Sequence, residues 1–378
     1  MKKKRYIGIW MCILWIILSN CVESFNAHLP NSDSELLVVE GNIISDSTVV
    51  FCLSRTFSLN AESFPQDYNQ IDAEVSVVGS DNSCFKGVAL GNGKYQVAVG
   101  TLNKDVSYNL KIVYNGDTYT SEPQRPLETE EIENVSYEQP EEYGDIYIRA
   151  STQSQGIAHY IWSYEEDWEV KAVYKIWLIY DPITDKVIDY GTAPYELGWC
   201  HNESSNIVLG TTELSMENQV KDKRIYSIDH TNNRVSRYYS TLMKQRKISV
   251  GEYEYYQEKV KLNEEMGGIF TPQPSELPTN ISCSNPEKQA IGYVGVNMNI
   301  TQYRIFISTD DIQYENQYDC DFLDISFQNS HSNYELYMMG YAIAVISPAI
   351  RWAPRSCADV RYLGASLEKP AFWPNEIN

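Results

Sequence analysis

The fold class follows from residues 108–120, YNLKIVYNGDTYT, which predict a β-hairpin. Two runs of strand-forming residues, 108–114 and 117–120, flank the dipeptide Asn115-Gly116. Asn-Gly is favoured in two-residue hairpin turns because both of its positions adopt positive φ angles there. The stretch therefore predicts two antiparallel strands joined by a tight turn.

The same strand and turn signals repeat around this hairpin from residue 36 to residue 126. Apolar runs at 36–39 and 49–53 are typical of buried strands, 73–79 ends at a turn, and Gly91-Asn92-Gly93 marks a second hairpin. Short strands at this spacing predict an immunoglobulin-like or transthyretin-like β-sandwich at 36–126.

The rest of the chain predicts a linker and a second domain. Residues 127–144 are acidic and contain a proline, Pro140, which indicates a solvated connection. Residues 145–378 return to strand signals and predict a larger, β-rich, sandwich-like domain. Its run 172–180 is apolar on both faces and is predicted to be a central strand.

One helical insertion is predicted in the second domain, at about 235–268. Ser249 and Glu252 form a capping box, and Gly267-Gly268 ends the helical pattern. The residues expected on one helix face are Val250, Tyr253, Tyr256 and Val260.

Residues 1–20 have the layout of a lipoprotein signal peptide. Basic residues at 2–5 precede an apolar run that ends near residue 18 and is too short to span a bilayer comfortably. The sequence Leu18-Ser19-Asn20-Cys21 resembles a bacterial lipobox. Cys21 is therefore the predicted site of lipidation, with an acyl chain such as palmitate, and 21–35 is predicted to be a tether. An ordinary secretory signal with a chance cysteine is the alternative.

Charge and cysteine content narrow the functional classes further. The formal net charge of −21 repels phosphate backbones, so nucleic-acid binding is not expected. An even number of cysteines after Cys21 in an exported chain predicts disulfides, and Cys52 with Cys84 could bridge the first sandwich. Spacing alone does not choose among the possible pairings. No CxxC pair occurs and the histidines are scattered, so no zinc site, other metal or cofactor is predicted.

Several stretches of the second region carry a resemblance to a known family. They are SVGEYEYY at 249–256, GGIFTPQP at 267–274, PTNISC at 278–283 and IGYV at 291–294, followed by Cys357-Ala358-Asp359, Gly364 and KPAFW at 369–373. The chain resembles Bacteroidota outer-membrane lipoproteins with the domain of unknown function 4249, which are typically encoded beside TonB-dependent receptors. Val360 stands where this family usually has a second cysteine, which weakens the case for a functional thiol pair there.

The resemblance implies a membrane-anchored outer-membrane lipoprotein and a TonB-dependent receptor as a partner, but it carries over no catalytic residue. Its matching glycines, prolines and cysteines are fold requirements. Within this frame, neighbourhood in the sequence favours the disulfides Cys200–Cys283 and Cys320–Cys357.

Three candidate sites for chemistry can be identified, and for each of them a purely structural role is the alternative. Glu165-Glu166-Asp167, flanked by aromatic residues, is the best candidate for a hydrolase, although neighbours on a strand face opposite ways. Cys200-His201 has the residue types of a nucleophile and a base, although sequence neighbours seldom meet in the needed geometry. The aspartates of 310–324 offer oxygen ligands for calcium in no EF-hand spacing.

Aromatic residues are the strongest hint of a ligand. All tryptophans outside the signal peptide lie in the second region, and exposed rings stack on sugars or flat ligands. The candidate ligand-facing residues are Trp162, Trp168, Trp199 and Trp352, with core packing as the alternative for each.

The sequence thus predicts a non-enzymatic accessory or ligand-binding partner of a TonB-dependent uptake receptor, with the ligand unidentified. One alternative is a surface hydrolase acting on glycans or peptides through Glu165 or Asp167. The other alternative is a structural or adhesive surface lipoprotein.

Overall fold

The computed structural model describes residues 36–57, 68–265, 277–315, 319–345 and 349–374. The predicted signal peptide, Cys21, the tether and Gly267-Gly268 lie outside these ranges. The chain is mainly β, as predicted. No helix in the described ranges has the length and apolar character to cross a bilayer.

The described part of the chain contains the following elements in order. The strands are β1 Leu37–Glu40, β2 Ile43–Ile44, β3 Ser47–Arg55, β4 Ala73–Gly79, β5 Cys84–Gly91, β6 Lys94–Val99, β7 Tyr108–Tyr114, β8 Asp117–Ser121, β9 Ile132–Glu138, β10 Ile146–Gln153, β11 His159–Lys171, β12 Leu178–Asp181, β13 Lys186–Asp189, β14 Leu197–Glu203, β15 Val208–Thr211, β16 Gln219–Ile228, β17 Tyr238–Ile248, β18 Ile281–Cys283, β19 Ala290–Ile291, β20 Val296–Asn297, β21 Thr301–Ser308, β22 Tyr341–Val345 and β23 Arg351–Pro354. The α-helices are α1 Val250–Glu265, α2 Ile325–Asn329 and α3 Asn333–Met338.

The first core is enclosed by nine strands in the order β18-β8-β7-β4-β5-β6-β3-β1-β19. The hairpin predicted at 108–120 is confirmed: Tyr114 pairs with Asp117, and Asn115 and Gly116 have φ angles of 49° and 82°. Strands β18 and β19, at the two ends of this sheet, follow each other in the chain and contribute to the same core as Phe51 and Leu110. Strands β18 and β19 follow the linker predicted at 127–144 in the chain, but they pair with β8 and β1, which precede it. The sequence did not indicate these pairings.

The second core lies between a five-stranded and a three-stranded sheet. The larger sheet has the order β14-β11-β17-β21, with β15 also paired to β11, and the smaller has the order β16-β10-β9. Trp162, Tyr239 and Ile148 are fully buried between them. Strand β9 falls inside the predicted acidic linker, so part of that stretch belongs to a sheet, because Ile132 and Val135 enter the core.

Two local predictions were wrong in ways that the packing explains. The strand predicted at 172–180 is not central: only Leu178–Asp181 is a strand there, and it pairs solely with β13. The central strand is β11, which pairs with β17 over eleven residues. The predicted helix at 235–268 begins only at Val250, because residues 238–248 form β17 and bury side chains on both faces of that strand.

The helix start itself is confirmed, but its buried face is not the predicted one. The Ser249 hydroxyl accepts a hydrogen bond from the Glu252 amide at 3.2 Å, as an N-cap residue does. Val250 is 58% exposed, whereas Glu252 is 1% and Tyr255 5% exposed. The helix therefore packs through Glu252 and Tyr255 and leaves Val250, a member of the predicted face, exposed.

The Glu252 carboxylate reaches a buried ion pair with Arg246 at the end of β17. Arg246 Nη2 donates to Glu252 Oε1 at 2.6 Å, and Arg246 Nη1 donates to Asn297 Oδ1 at 3.1 Å. Burial lowers the pKa of Arg246, but the charge and hydrogen bond of Glu252 outweigh it and leave that pKa raised. Asn297 lies on β20, which pairs with β2 beside the first core. This Arg246–Glu252–Asn297 cluster therefore ties β17 and α1 to the first sheet region.

The substitution Glu252→Gln should lower the free energy of unfolding by about 3–5 kcal/mol, because it leaves the buried Arg246 charge without an opposing charge. Urea denaturation of the detergent-solubilised full-length protein, followed by tryptophan fluorescence, measures this loss. The matched control is Glu40→Gln, which removes the 3.2 Å pair between the more exposed Lys259 and Glu40 and should cost about 1 kcal/mol or less. Equal losses in the two variants would contradict the structural role given to the buried pair.

Candidate functional site

The best candidate site is a cavity of about 360 Å³ lined by residues from 176–195 and 337–362. This volume lies within the range typical of small-molecule sites. The β12–β13 hairpin, the end of α3, strand β22 and the segment 352–362 supply its lining. The lining residues that carry the argument below are Tyr180, Tyr337, Trp352, Arg355, Arg361 and Tyr362.

Aromatic rings form much of the cavity wall, and two of them are part of a small buried core. Tyr180 is 4% and Trp352 3% exposed, and they pack with Ile343 and Leu336. The Tyr180 ring centroid lies 5.7 Å from that of Tyr337 and 6.1 Å from that of Trp352. The site is therefore lined by rings held in fixed orientations by their own packing.

Tyr180 also fixes the hairpin that forms one wall. Its hydroxyl donates to Asp185 Oδ1 at 2.6 Å, in the turn between β12 and β13. Burial and this hydrogen bond raise the pKa of Tyr180 to about 12, so the hydroxyl stays protonated and keeps donating. The Asp181 carboxylate accepts from the Ile183 amide and the Thr184 hydroxyl, which closes the same turn.

Two arginines stack on tyrosines at the cavity. The Arg355 guanidinium lies 3.8 Å from the Tyr337 ring centroid and 4.7 Å from that of Tyr362. The Arg361 guanidinium lies 3.4 Å from the ring centroid of Tyr195 and forms an ion pair with Asp359 at 2.7 Å. Cation–π contacts of this kind hold a guanidinium in place while leaving some of its N–H groups free.

A disulfide fixes the chain beneath this cavity. Cys320 and Cys357 are bonded, as predicted, with a Cα–Cα distance of 5.8 Å. Tyr174 joins both partners, since its hydroxyl donates to the Cys320 carbonyl at 2.5 Å and its amide donates to the Cys357 carbonyl at 2.8 Å. The bond thus connects the residues before α2 to the arginine-bearing segment.

The predicted bond Cys52–Cys84 is absent, and both thiols are free. Cys52 lies level with Lys94 of β6, and Lys94 lies level with Gly91 of β5. Cys84 is at the other end of β5, roughly 20 Å further along the strand at about 3.3 Å per residue. A disulfide requires Cα atoms within about 7 Å, so this pairing was wrong.

The predicted bond Cys200–Cys283 is also absent: both thiols are free, and the two residues pack in different cores. Cys200 pairs with Trp168 on β11 and is buried beside Val360, and this burial raises the pKa of its thiol. Cys283 pairs with Tyr119 in the first sheet.

The four predicted ligand-facing tryptophans are scattered in the structure, and only Trp352 lines the cavity. Trp162 is fully buried and donates to Gln245 at 2.9 Å, which makes it a core residue. Trp168 is half-buried, with the Arg234 guanidinium 5.1 Å from its ring centroid. Trp199 is half-buried on β14 beside Ser366.

The acidic cluster lies in the middle of β11, where its carboxylates are ion-paired on opposite faces of the sheet. Glu166, 2% exposed, accepts hydrogen bonds from Arg234, Tyr239 and Asn202, each at 2.8 Å. Burial raises the pKa of Tyr239 well above its usual value, so its hydroxyl remains a donor to Glu166.

The other face of β11 presents a second row of paired carboxylates. Asp167 contacts His201 at 2.7 Å and Arg304 at 2.9 Å. Glu165 pairs with Lys244, and Glu169 pairs with Arg237 at 2.7 Å. Each carboxylate has its own cation, so the cluster acts as a network that holds the sheet together.

The remaining sequence candidates do not assemble into sites. Cys200 and His201 face opposite sides of β14: the thiol lies 3.8 Å from the Leu363 carbonyl, whereas the imidazole contacts Asp167. Among the described residues, no group of three or more His, Cys, Asp or Glu is placed to hold a metal ion. The aspartates of 310–324 include helix caps, such as Asp324 at the start of α2.

Sequence reasoning missed most of the cavity, including Arg355, Tyr337 and Tyr180. A signal was present, because Arg351, Arg355 and Arg361 lie close together beside aromatic residues in an acidic chain. The partners that complete the wall come from 176–195, far away in the sequence.

The chain is a β-rich protein with two sandwich-like cores and a concave site lined by aromatic residues. Residues 22–304 match the family described as Domain of unknown function (DUF4249), and the chain belongs to that family. A comparison with curated proteins found no match.

Replacing Cys320 and Cys357 together by serine should lower the free energy of unfolding by about 4 kcal/mol, because the bond closes a loop of 37 residues. Urea denaturation measures this change, with Cys84→Ser, an exposed free thiol, as the control that should be neutral.

In addition, alkylation under denaturing, non-reducing conditions should label Cys52, Cys84, Cys200 and Cys283. Peptide mapping that found either of the two rejected pairings would contradict the assignment.

Proposed function

We propose that this protein is a non-enzymatic, lipid-anchored lipoprotein of the outer membrane that binds a small ligand in the aromatic cavity. In this proposal it acts as an accessory of a TonB-dependent uptake receptor in a bacterium of the Bacteroidota. The membrane anchor is the acylated Cys21, and the folded chain extends from it through the tether.

The observation that carries the proposal is the cavity itself. It combines a volume suited to a small molecule, aromatic side chains fixed by packing, and arginines whose guanidinium groups are stacked on rings. Binding sites commonly pair an apolar wall with a few well-placed polar groups that orient the ligand. The disulfide Cys320–Cys357 further favours a preorganised site over an adaptable surface.

The state of the carboxylates favours binding over hydrolysis. A glycosidase uses two carboxyl groups on either side of the scissile bond, one as an acid and one as a base or nucleophile. Here Glu165 and Asp167, the residues of the hydrolase alternative, are held by Lys244, His201 and Arg304 within a sheet face. In the cavity, Asp359 is engaged by Arg361, and Asp181 by its own turn.

The proposals of a lipid anchor and of a receptor partner are based on the sequence. The lipobox-like 18–21 predicts acylation, and the family resemblance implies an outer-membrane lipoprotein encoded beside receptors of this type. An acidic chain suits a role at the membrane surface in which neither nucleic acid nor anionic headgroups are bound.

The substitution Cys21→Ala should abolish acylation and with it the lipid-dependent recovery in the outer-membrane fraction, because it removes the thiol directly after the predicted signal peptide 1–20. Fractionation and intact-mass spectrometry of the purified protein measure this change. Cys84→Ala, which removes an exposed thiol elsewhere, should stay in the membrane fraction with the lipid mass intact. A wild-type protein with an unmodified amino terminus would refute the anchor.

Affinity capture of the tagged full-length protein from solubilised outer membrane should recover a β-barrel receptor of the TonB-dependent class. A fusion of residues 1–35 to a fluorescent protein is the matched control, since it shares the anchor but lacks the folded chain. Mass spectrometry identifies the captured proteins. Recovery of the same barrel by the control, or of no barrel by the full-length protein, would argue against the accessory role.

A further inference from the structure

The charged groups that line the cavity are not equally compensated. Arg361 and Asp359 neutralise each other, since Nε and Nη2 of Arg361 each lie within 3.0 Å of an Asp359 oxygen. These hydrogen bonds raise the pKa of Arg361. Asp181 accepts two hydrogen bonds within its turn, which hold the pKa of its carboxyl below the usual value. These three groups are therefore already engaged.

Arg355 is different, because no ion pair joins it to a carboxylate of the described residues. Its Nη1 donates to the Tyr362 hydroxyl at 2.9 Å, and its Nη2 donates to the Tyr337 carbonyl. Its Nε is buried and finds no hydrogen-bond partner in the described part of the chain. A guanidinium carries two N–H groups on each of Nη1 and Nη2, so these neutral contacts leave the charge and one N–H on each of the two atoms available to a ligand.

The surroundings of Arg355 fix its position without neutralising it. Its guanidinium lies between the rings of Tyr337 and Tyr362, which restricts its motion. A planar guanidinium with free N–H groups is the side chain best suited to hold a carboxylate through two parallel hydrogen bonds. Arg355 is half-buried, so a ligand that enters the cavity can reach its guanidinium.

The wall beside Arg355 is apolar. Trp352, Ile343 and Ala358 are buried there, and all three line the cavity together with Arg355. A ligand that fills this space must therefore offer an apolar or ring-shaped body as well as an acceptor for the arginine.

We propose that the cavity is a site for small molecules that carry a carboxylate on an apolar ring, with Arg355 holding the carboxylate. The inference rests on the proposed ligand-binding function and adds the chemical class of the ligand. A neutral sugar is the competing class, because sugars also stack on tyrosine and tryptophan rings but do not need a cation.

The test compares two probes of nearly equal shape and different charge, 4-(trifluoromethyl)benzoate and 4-(trifluoromethyl)benzamide. Fluorine NMR titration of the detergent-solubilised full-length protein gives the affinity for each. The wild-type protein should bind the acid about tenfold or more tightly than the amide, as a charge-assisted pair requires. Arg355→Gln should abolish this preference by weakening the acid alone, and Arg355→Lys should retain part of it.

Arg224→Gln is the matched control. Arg224 also stacks on a tyrosine, with its guanidinium 4.1 Å from the Tyr147 ring centroid, but it lies on β16 and does not line the cavity. This variant should keep the wild-type preference. Unfolding curves confirm that each variant is folded before its affinities are compared.

The outcomes separate the ligand class from the proposed function. Equal affinity of the wild-type protein for acid and amide would overturn the carboxylate assignment and leave the cavity as a binding site for neutral ligands. Binding of neither probe would overturn both the assignment and the cavity as the ligand site, while receptor capture would still test the accessory role. An acid preference that survives in Arg355→Gln would assign the carboxylate to another residue and refute the role of Arg355.

Discussion

The buried ion pair between Arg246 and Glu252 is the constraint on which the arrangement of the two cores depends. Gly295 passes so close that an added Cβ would lie 2.3 Å from Glu252 Oε2 and 2.9 Å from Arg246 Nη1. The Gly295 carbonyl also accepts the Ile43 amide at 2.9 Å, which fixes β2 in the first region. Asn297 then donates to the Lys247 carbonyl at 2.8 Å. A hydrophobic contact would tolerate sliding here, whereas this polar cluster admits one register, since any shift leaves a buried charge unpaired.

The same logic explains how β11 carries so many charges through the centre of a sheet. A strand presents alternate residues to opposite faces, so Glu166 faces the side of Tyr239 while Asp167 faces the side of Arg304. Each face supplies its own cations, from β17, β21 and the short helix at 233–235. Phe372 also packs against one of these cations, since the Arg304 guanidinium lies 3.6 Å from the centroid of the Phe372 ring. Because neighbouring segments supply a cation for each carboxylate, β11 can lie inside the sheet although it carries several charges.

Features that depend on adjacent residues could be predicted from the sequence, whereas features that depend on distant segments could not. The hairpin at Asn115-Gly116 and the helix cap at Ser249 depend on a few adjacent residues, so local patterns predicted them correctly. The pairing of Ile281–Cys283 with β8 depends on a register between segments more than 150 residues apart, for which no local pattern exists. The ion pairs of Glu165, Glu166 and Asp167 were not predicted for a related reason, because their cations come from other parts of the chain. The cavity escaped prediction because residues 176–195 and 337–362 meet only after folding.

The position of the cavity follows from the sizes of the cores. The two main cores hold their strands through many fully buried side chains, whereas the core behind the cavity is small and centres on Trp352, Ile343 and Leu336. A core of that size orders a segment only weakly, since the conformational entropy lost on folding is not matched by apolar burial alone. The disulfide and the arginine–tyrosine stacks supply the additional constraint. These constraints hold the residues around the cavity, and none of them pairs Arg355 with a carboxylate of the described residues. The proposed carboxylate site uses this feature, because Arg355 lines the cavity with its charge held by tyrosine rings and neutral acceptors.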